Sequence, residues 1–160
     1  MIYFISGHRN LNDNEFDTHY KFLIDYAIKE NGYFVVGDYY GLDIKAQEYL
    51  KDKVPDSHVT VYHMFDSPRN YVDGFNKKGG YSLDEERDAA MTRDSDIDIA
   101  WIRYKESGTA RNIERRKEHN TGELYAYIYR NMNIKERQQL EKDFNQKRNQ
   151  LVKEIEAMYS

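Results

Sequence analysis

The sequence predicts an α/β fold, a single Rossmann-like domain with about five mostly parallel strands between helices. Two observations carry this expectation. Short apolar, β-leaning runs, "MIYFIS", "YFVVGD", "HVTVYHMF", "DIDIAWIR" and "ELYAYIYR", recur along the chain. The segments between them repeat their apolar residues at helical spacing. Strands alternating with helices of this length need right-handed crossovers and a sheet covered on both faces. The chain has 160 residues, enough for one core and short for two.

In order, residues 1–6 read as the first strand, followed by polar "GHRNLND" and a helix carrying Phe16, Tyr20, Leu23, Ile24, Ala27 and Ile28. Residues 33–38 are the second strand, and Leu42, Ala46, Tyr49 and Leu50 mark a helix that closes before Pro55. Residues 58–65 form the third strand. The stretch 66–80, rich in Pro, Gly, Asn and Asp, exceeds the usual connection length and reads either as a lid, with Arg69, Lys77 and Lys78 in reach of a phosphate, or as a merely mobile loop. Ser82 and Glu85 have the spacing of a capping box opening the next helix. Residues 96–103 are the fourth strand, 109–119 a helix and 123–130 a fifth strand. A closing helix from about 134 to 158 places Leu140, Phe144, Leu151, Val152, Ile155 and Met158 on one stripe. Residues 1–130 are thus expected to form the ligand-binding domain. Residues 131–160 are expected to form a helix packed on that domain or on the partner of a homodimer.

Composition narrows the function. Lys plus Arg number 24 against 28 Asp plus Glu, a net charge of -4, which argues against general nucleic-acid binding and against an anionic membrane surface. There is no cysteine, so disulfides, cysteine-bound zinc and thiol nucleophiles are excluded. "MIYFISGHRN" has too short an apolar run and no basic lead-in for a signal peptide, and no stretch approaches transmembrane length, so a cytoplasmic location is expected. Asp94, Asp96 and Asp98 alternate, but the turn glycine and further oxygens of a calcium loop are missing. The five histidines show no two-histidine helical spacing. No metal and no cofactor are expected.

In an open parallel sheet ligands sit beyond the carboxyl ends of the strands. The segments found there are Ser6-Gly7-His8-Arg9, Gly37-Asp38-Tyr39-Tyr40-Gly41-Leu42-Asp43 and Ser107-Gly108-Thr109-Ala110-Arg111-Asn112. Glycine permits close approach of the backbone, and free N–H groups at a helix start attract phosphate. Gly108 and Thr109 would cradle a phosphate, with Arg111 adding a fork of donors. His8 is placed to donate to phosphate or act as an acid, or it is an ordinary turn histidine. Tyr39, Tyr40, Tyr71 and Phe75 supply stacking faces near the same edge. Any one of these loops alone is ordinary turn chemistry, and the case rests on their coincidence on one edge.

"YFISGHRN", "VVGDYYGLDIKAQEYL", "ERDAAMTRDSDIDIAWI" and "SGTARNIERR" together resemble the SLOG superfamily, the Rossmann-like group of YspA/YpsA-like and LOG-like proteins. The chain is also similar to the related nucleoside 2-deoxyribosyltransferases and 2'-deoxynucleoside 5'-monophosphate N-glycosidases. The resemblance implies that Ser6, Gly7 and Arg9 hold a nucleotide's phosphate or sugar, and that Gly37, Gly41 and Asp43 form a glycine-rich turn near the ligand. It further implies a sugar-contacting role for Asp88 in "ERD", beside Arg87. "GTARN" aligns with a Gly-Thr-x-x-Glu element whose glutamate acts at the anomeric carbon, and here Asn112 stands at that place. A neutral amide neither traps nor stabilises a cation-like sugar well. Glu114, two residues on, is rotated about 200° around the helix. These features favour binding of a nucleotide or nucleotide-derived molecule, with an N-glycosidase or deoxyribosyltransferase-like enzyme as the alternative.

Overall fold

The apolar runs become strands buried on both faces. In the computed structural model, which describes residues 1–102 and 107–119 and single positions beyond them, Tyr3, Phe4 and Ile5 are at most 1% exposed. Five strands, β1 (Ile2–Ser6), β2 (Tyr33–Val36), β3 (Val59–Met64), β4 (Asn76–Tyr81) and β5 (Ile97–Ala100), form one sheet in the order β4-β3-β2-β1-β5. Every neighbouring pair is parallel. The helices are α1 (Asp13–His19), α2 (Lys21–Lys29), α3 (Leu42–Leu50), α4 (Asp84–Arg93) and α5 (Gly108–His119).

Alternation along the strands divides the core into two layers. Tyr3, Ile5, Phe34, Val36, Val59 and Val61 pack with Phe16, Leu23, Ile24, Ala27, Leu42, Ala46 and Leu50 of α1, α2 and α3. Phe4, Val35 and Tyr62 face the other way, onto Ala90 and Met91 of α4. This is the Rossmann-like α/β arrangement the sequence predicts.

Several elements differ from expectation. The helix over 16–28 is two helices meeting at Tyr20, whose φ of -117° departs from helical geometry. The Tyr20 hydroxyl donates to Ser6 O (2.8 Å) and accepts from the Trp101 N–H (3.0 Å), joining the ends of β1 and β5. The capping box forms not at Ser82 but at Asn12: its side chain accepts from Glu15 N–H, and the Glu15 carboxylate accepts from Asn12 N–H. At α4 the N-cap is Leu83, without a side-chain cap, and Asp84, Glu85 and Glu86 complement the helix dipole instead.

Stretch 66–80 is not one long loop. Its second half is β4, an exposed edge strand whose polar sequence "NKKGGY" gives no apolar signal. The His63 ring lies where a Cβ on Gly79 would stand, so the edge closes on the sheet only with glycine there. The strand over 123–130, the helix over 134–158, the homodimer inferred from it and the domain division at 130 lie outside the described residues. Among the described residues no helix is long and apolar enough to cross a membrane.

Candidate functional site

From β1 the chain builds outward through β2 and β3 to β4, then returns to the opposite side of β1 as β5. Loops leaving β1 and β5 therefore diverge, and this switch point opens a crevice at the carboxyl edge of the sheet. A cavity of about 500 Å³ lies there. Twelve of the residues expected at the ligand line it: Ser6, Gly7, His8, Arg9, Asp43, Arg87, Asp88, Ser107, Gly108, Thr109, Arg111 and Asn112.

The start of α5 forms one wall. Ser107 caps it, its Oγ accepting from Ala110 N–H (3.1 Å) and its carbonyl from Arg111 N–H (3.1 Å). The N–H groups of Gly108 and Thr109 open the helix and have no acceptor within it. A Cβ on Gly108 would meet only Arg111 Nη2 and Asp88 Oδ2, both at 3.9 Å. Packing does not demand glycine there, and its absent side chain keeps the approach to the helix start open. Opposite, Ser6 is 5% exposed, and among the described residues its hydroxyl has no hydrogen-bond partner. A buried hydroxyl normally has one.

Arg87, buried at the floor, organises the carboxylates. Its Nε and Nη2 donate to Asp88 Oδ1 (3.2 and 2.9 Å), and its Nη1 donates to Asp38 Oδ1 (2.7 Å). Asp43 is 7% exposed and accepts from Tyr39 N–H (3.0 Å). Burial pushes the Asp43 carboxyl up to about 6, against the pull of Arg87 and the Tyr39 N–H, with Asp88 and Asp38 adding repulsion. Burial likewise holds Asp88 above the ordinary carboxylate value, although Arg87 opposes it. Arg87 stays protonated: burial works against its charge, but Asp43, Asp88 and Asp38 outweigh it. On α5, Asn112 is buried and its Oδ1 accepts from Arg115, which leaves the amide nitrogen as donor.

Four expected residues lie outside the lining. Asp38 is fully buried and engaged by two guanidinium groups, Arg69 and Arg87, which hold its carboxyl below the usual value despite burial. Gly37 sits behind the cavity, where a Cβ would fall 2.4 Å from Asp43 Oδ2. Gly41 has φ +67°, and a Cβ there would lie 2.4 Å from the carbonyl oxygens of His8 and Arg9, so it seats α3 against the β1 loop. Glu114 is exposed. The expected lid is absent from the lining as well: Lys78 pairs with Asp94 (2.9 Å), Lys77 lies over Tyr71, and Arg69 binds Asp38.

Tyr39 and Tyr40 do line the cavity, and Tyr40 is 63% exposed. Tyr71 and Phe75 do not; Phe75 is core. Sequence reasoning missed Asn10, Asp84, Glu85 and Arg115. Arg115 was findable, since it stands four residues after Arg111 on the same helical face. Among the described residues no group of three or more His, Asp or Glu is placed to hold a metal ion.

The fold and the strand order define a Rossmann-like α/β protein with a polar-lined cavity at the carboxyl edge of its sheet. Comparison with protein-family models, curated proteins and solved structures finds no match to this chain.

Proposed function

We propose that the protein binds a nucleotide or nucleotide-derived small molecule in this cavity, as a sensor or sequestering protein. One observation carries the reading: the α5 start with Arg111, the buried Ser6 hydroxyl, which has no partner among the described residues, the Asp43 and Asp88 carboxyls and the Tyr39–Tyr40 wall all converge on one volume. Helix N–H groups and arginine suit phosphate, carboxyl oxygens suit sugar hydroxyls, and tyrosine faces suit a base. A volume of about 500 Å³ is within the range of small-molecule pockets.

A second reading, an N-glycosidase or deoxyribosyltransferase-like enzyme acting on nucleoside monophosphates or NAD-derived nucleotides, is favoured by one specific feature. Two buried carboxyls, Asp43 and Asp88, stand with the Arg87 guanidinium at the cavity, and burial raises both above the ordinary carboxylate value, the kind of pair that acid–base chemistry at a sugar uses. Asn112 in place of a carboxylate weighs against it.

The deciding experiment incubates stoichiometric protein with ribo- and deoxynucleoside monophosphates, NAD, ADP-ribose and cyclic nucleotides, and follows filtrate and heat-denatured protein by mass spectrometry. A nucleotide depleted from the filtrate and recovered intact on denaturation is the expected result. Free base accumulating with time, and stopping in Asp88→Asn, would establish the enzyme instead. No depletion and no product would sink both readings.

A further inference from the structure

Arg69, in the connection between β3 and β4, lies outside the cavity lining, yet its contacts converge on the groups that shape it. Its Nε donates to Asp38 Oδ2 (3.2 Å) and its Nη2 to Asp38 Oδ1 (2.9 Å), a two-pronged clasp of one carboxylate. The same Nη2 reaches Asp84 Oδ1 (2.9 Å), and the guanidinium lies 4.5 Å from the centre of the Tyr39 ring. Tyr39 and Asp84 are both cavity residues.

The backbone at this point is fastened to the same place. Arg69 N–H donates to Asp38 Oδ2 (3.0 Å), and Asn70 gives both its backbone and side-chain N–H to Asp38 O (3.1 and 3.0 Å). Buried Gln47 completes the anchorage, donating to Gly37 O and Asn70 O and accepting from Val72 N–H. The segment is therefore a fixed strap across the end of β2, and Arg69 is its reach toward the site.

We propose that Arg69 is a positioning residue for the cavity: it backs the Tyr39 ring and, by sharing Asp38 with Arg87, leaves Arg87 free to hold Asp88. The consequence for affinity rests on the ligand-site reading above; the positioning itself does not. Two contact chains carry it. In one, the Arg69 guanidinium lies over Tyr39, whose N–H holds Asp43. In the other, Asp38 joins Arg69 to Arg87, which forks onto Asp88. Without Arg69, fully buried Asp38 has Arg87 as its remaining cation, and the pull on Arg87 moves away from Asp88. Lysine does not replace it, because one ammonium cannot clasp a carboxylate at two points and also reach over a ring.

The test compares wild type, Arg69→Met and Arg69→Lys, with thermal unfolding confirming that each variant folds. In the ligand-free proteins, amide hydrogen exchange is read over 37–43 and 84–88. Arg69→Met is expected to speed exchange in 37–43 by roughly tenfold, and Arg69→Lys to restore it only in part. Calorimetric titrations then use AMP and inorganic phosphate as probes. AMP affinity is expected to fall roughly tenfold in Arg69→Met while phosphate affinity holds, and the fall is expected to shrink in a Tyr39→Leu background, which removes one of the two chains. Faster exchange confined to 65–72, or an AMP loss that simply adds to that of Tyr39→Leu, would overturn the proposal. If wild type fails to bind AMP or any other nucleotide, the nucleotide reading falls, and the exchange data still decide whether Arg69 positions the wall.

Discussion

Gly37 and Gly108 both stand beside an aspartate carboxyl of the cavity, yet a methyl group meets different surroundings at each. At Gly37 it would fall 2.4 Å from Asp43 Oδ2 and 3.1 Å from Arg87 Cζ, so Gly37→Ala must displace a buried charged group. We expect a stability loss of about 1–3 kcal/mol in urea unfolding. At Gly108 the nearest atoms are 3.9 Å away, so Gly108→Ala should leave stability within about 0.5 kcal/mol of wild type. Because that methyl enters the space between Arg111 and Asp88, nucleotide affinity should drop all the same, by roughly tenfold in calorimetry. Unchanged affinity would remove Gly108 from the site. Asp43 makes a pH prediction at the same scale. Its carboxyl titrates near 6 when folded against an ordinary 3.8, so the folded state holds the proton more tightly than the unfolded one. Stability from this group is then highest below pH 4 and declines as pH rises to 6, by on the order of 3 kcal/mol at most. Asp43→Asn abolishes that decline, so the stability difference between variant and wild type should move in the variant's favour from pH 4 to pH 6.5. A difference flat with pH would show that Asp43 is not raised.

Among the elements, α5 brings Gly108, Thr109, Arg111, Asn112 and Arg115 to the cavity, and what holds it is a buried ion pair toward its far end. Arg116, 3% exposed, gives Nε to Asp98 Oδ2 (3.2 Å) on β5 and Nη1 to the carbonyls of Thr92 (3.1 Å), in the last turn of α4, and Ser95 (2.7 Å), just beyond it. Asp98 is 2% exposed, and burial keeps its carboxyl raised even beside Arg116. Arg116→Met strands that carboxyl and should cost about 3–5 kcal/mol in urea unfolding, whereas Asp98→Leu with Arg116→Met should recover most of it. A single-variant loss under about 1 kcal/mol would mean the pair does not anchor the helix. The sequence displays Arg116 as one of three arginines in "ARNIERR", and only the fold separates the anchor from the cavity residues. Strands were legible where both faces are covered: β1, β2, β3 and β5 read as largely apolar runs because most of their side chains are buried. β4 was not, since an exposed edge strand needs only backbone pairing and sets no apolar pattern. The glycine loops were legible at the site because close approach of backbone leaves a mark in sequence. Asp38 and Asp43 look alike there; the crossing of Arg69 and Arg87 over one of them separates structural anchor from cavity wall. Asp84 and Glu85 were hidden because their place depends on how α4 crosses the sheet.

Over the whole molecule, strand order decides where chemistry can occur. The divergence of chain on either side of β1 makes the crevice, and the Tyr20 hydroxyl spans its base by joining Ser6 O to Trp101 N–H. Trp101, the sole tryptophan, follows β5 at that point. It stacks on His19 with ring centroids 4.2 Å apart and meets the edge of His8 at 5.9 Å. His8 also lines the cavity, so one aromatic contact links the cavity to the α1 face of the core. A ligand that settles against the β1 loop must alter the His8–Trp101 contact or its polarity, and indole emission is sensitive to both. Titrating the wild-type protein with a nucleotide shown by mass spectrometry to bind should therefore produce a saturable change in tryptophan fluorescence. Its midpoint should match the calorimetric affinity. His8→Ala should suppress the change more strongly than it weakens binding, because it removes the reporter contact while leaving the α5 start and Arg111 in place. Binding without any fluorescence change in the wild type would place the ligand away from the switch point, on some other surface of the sheet.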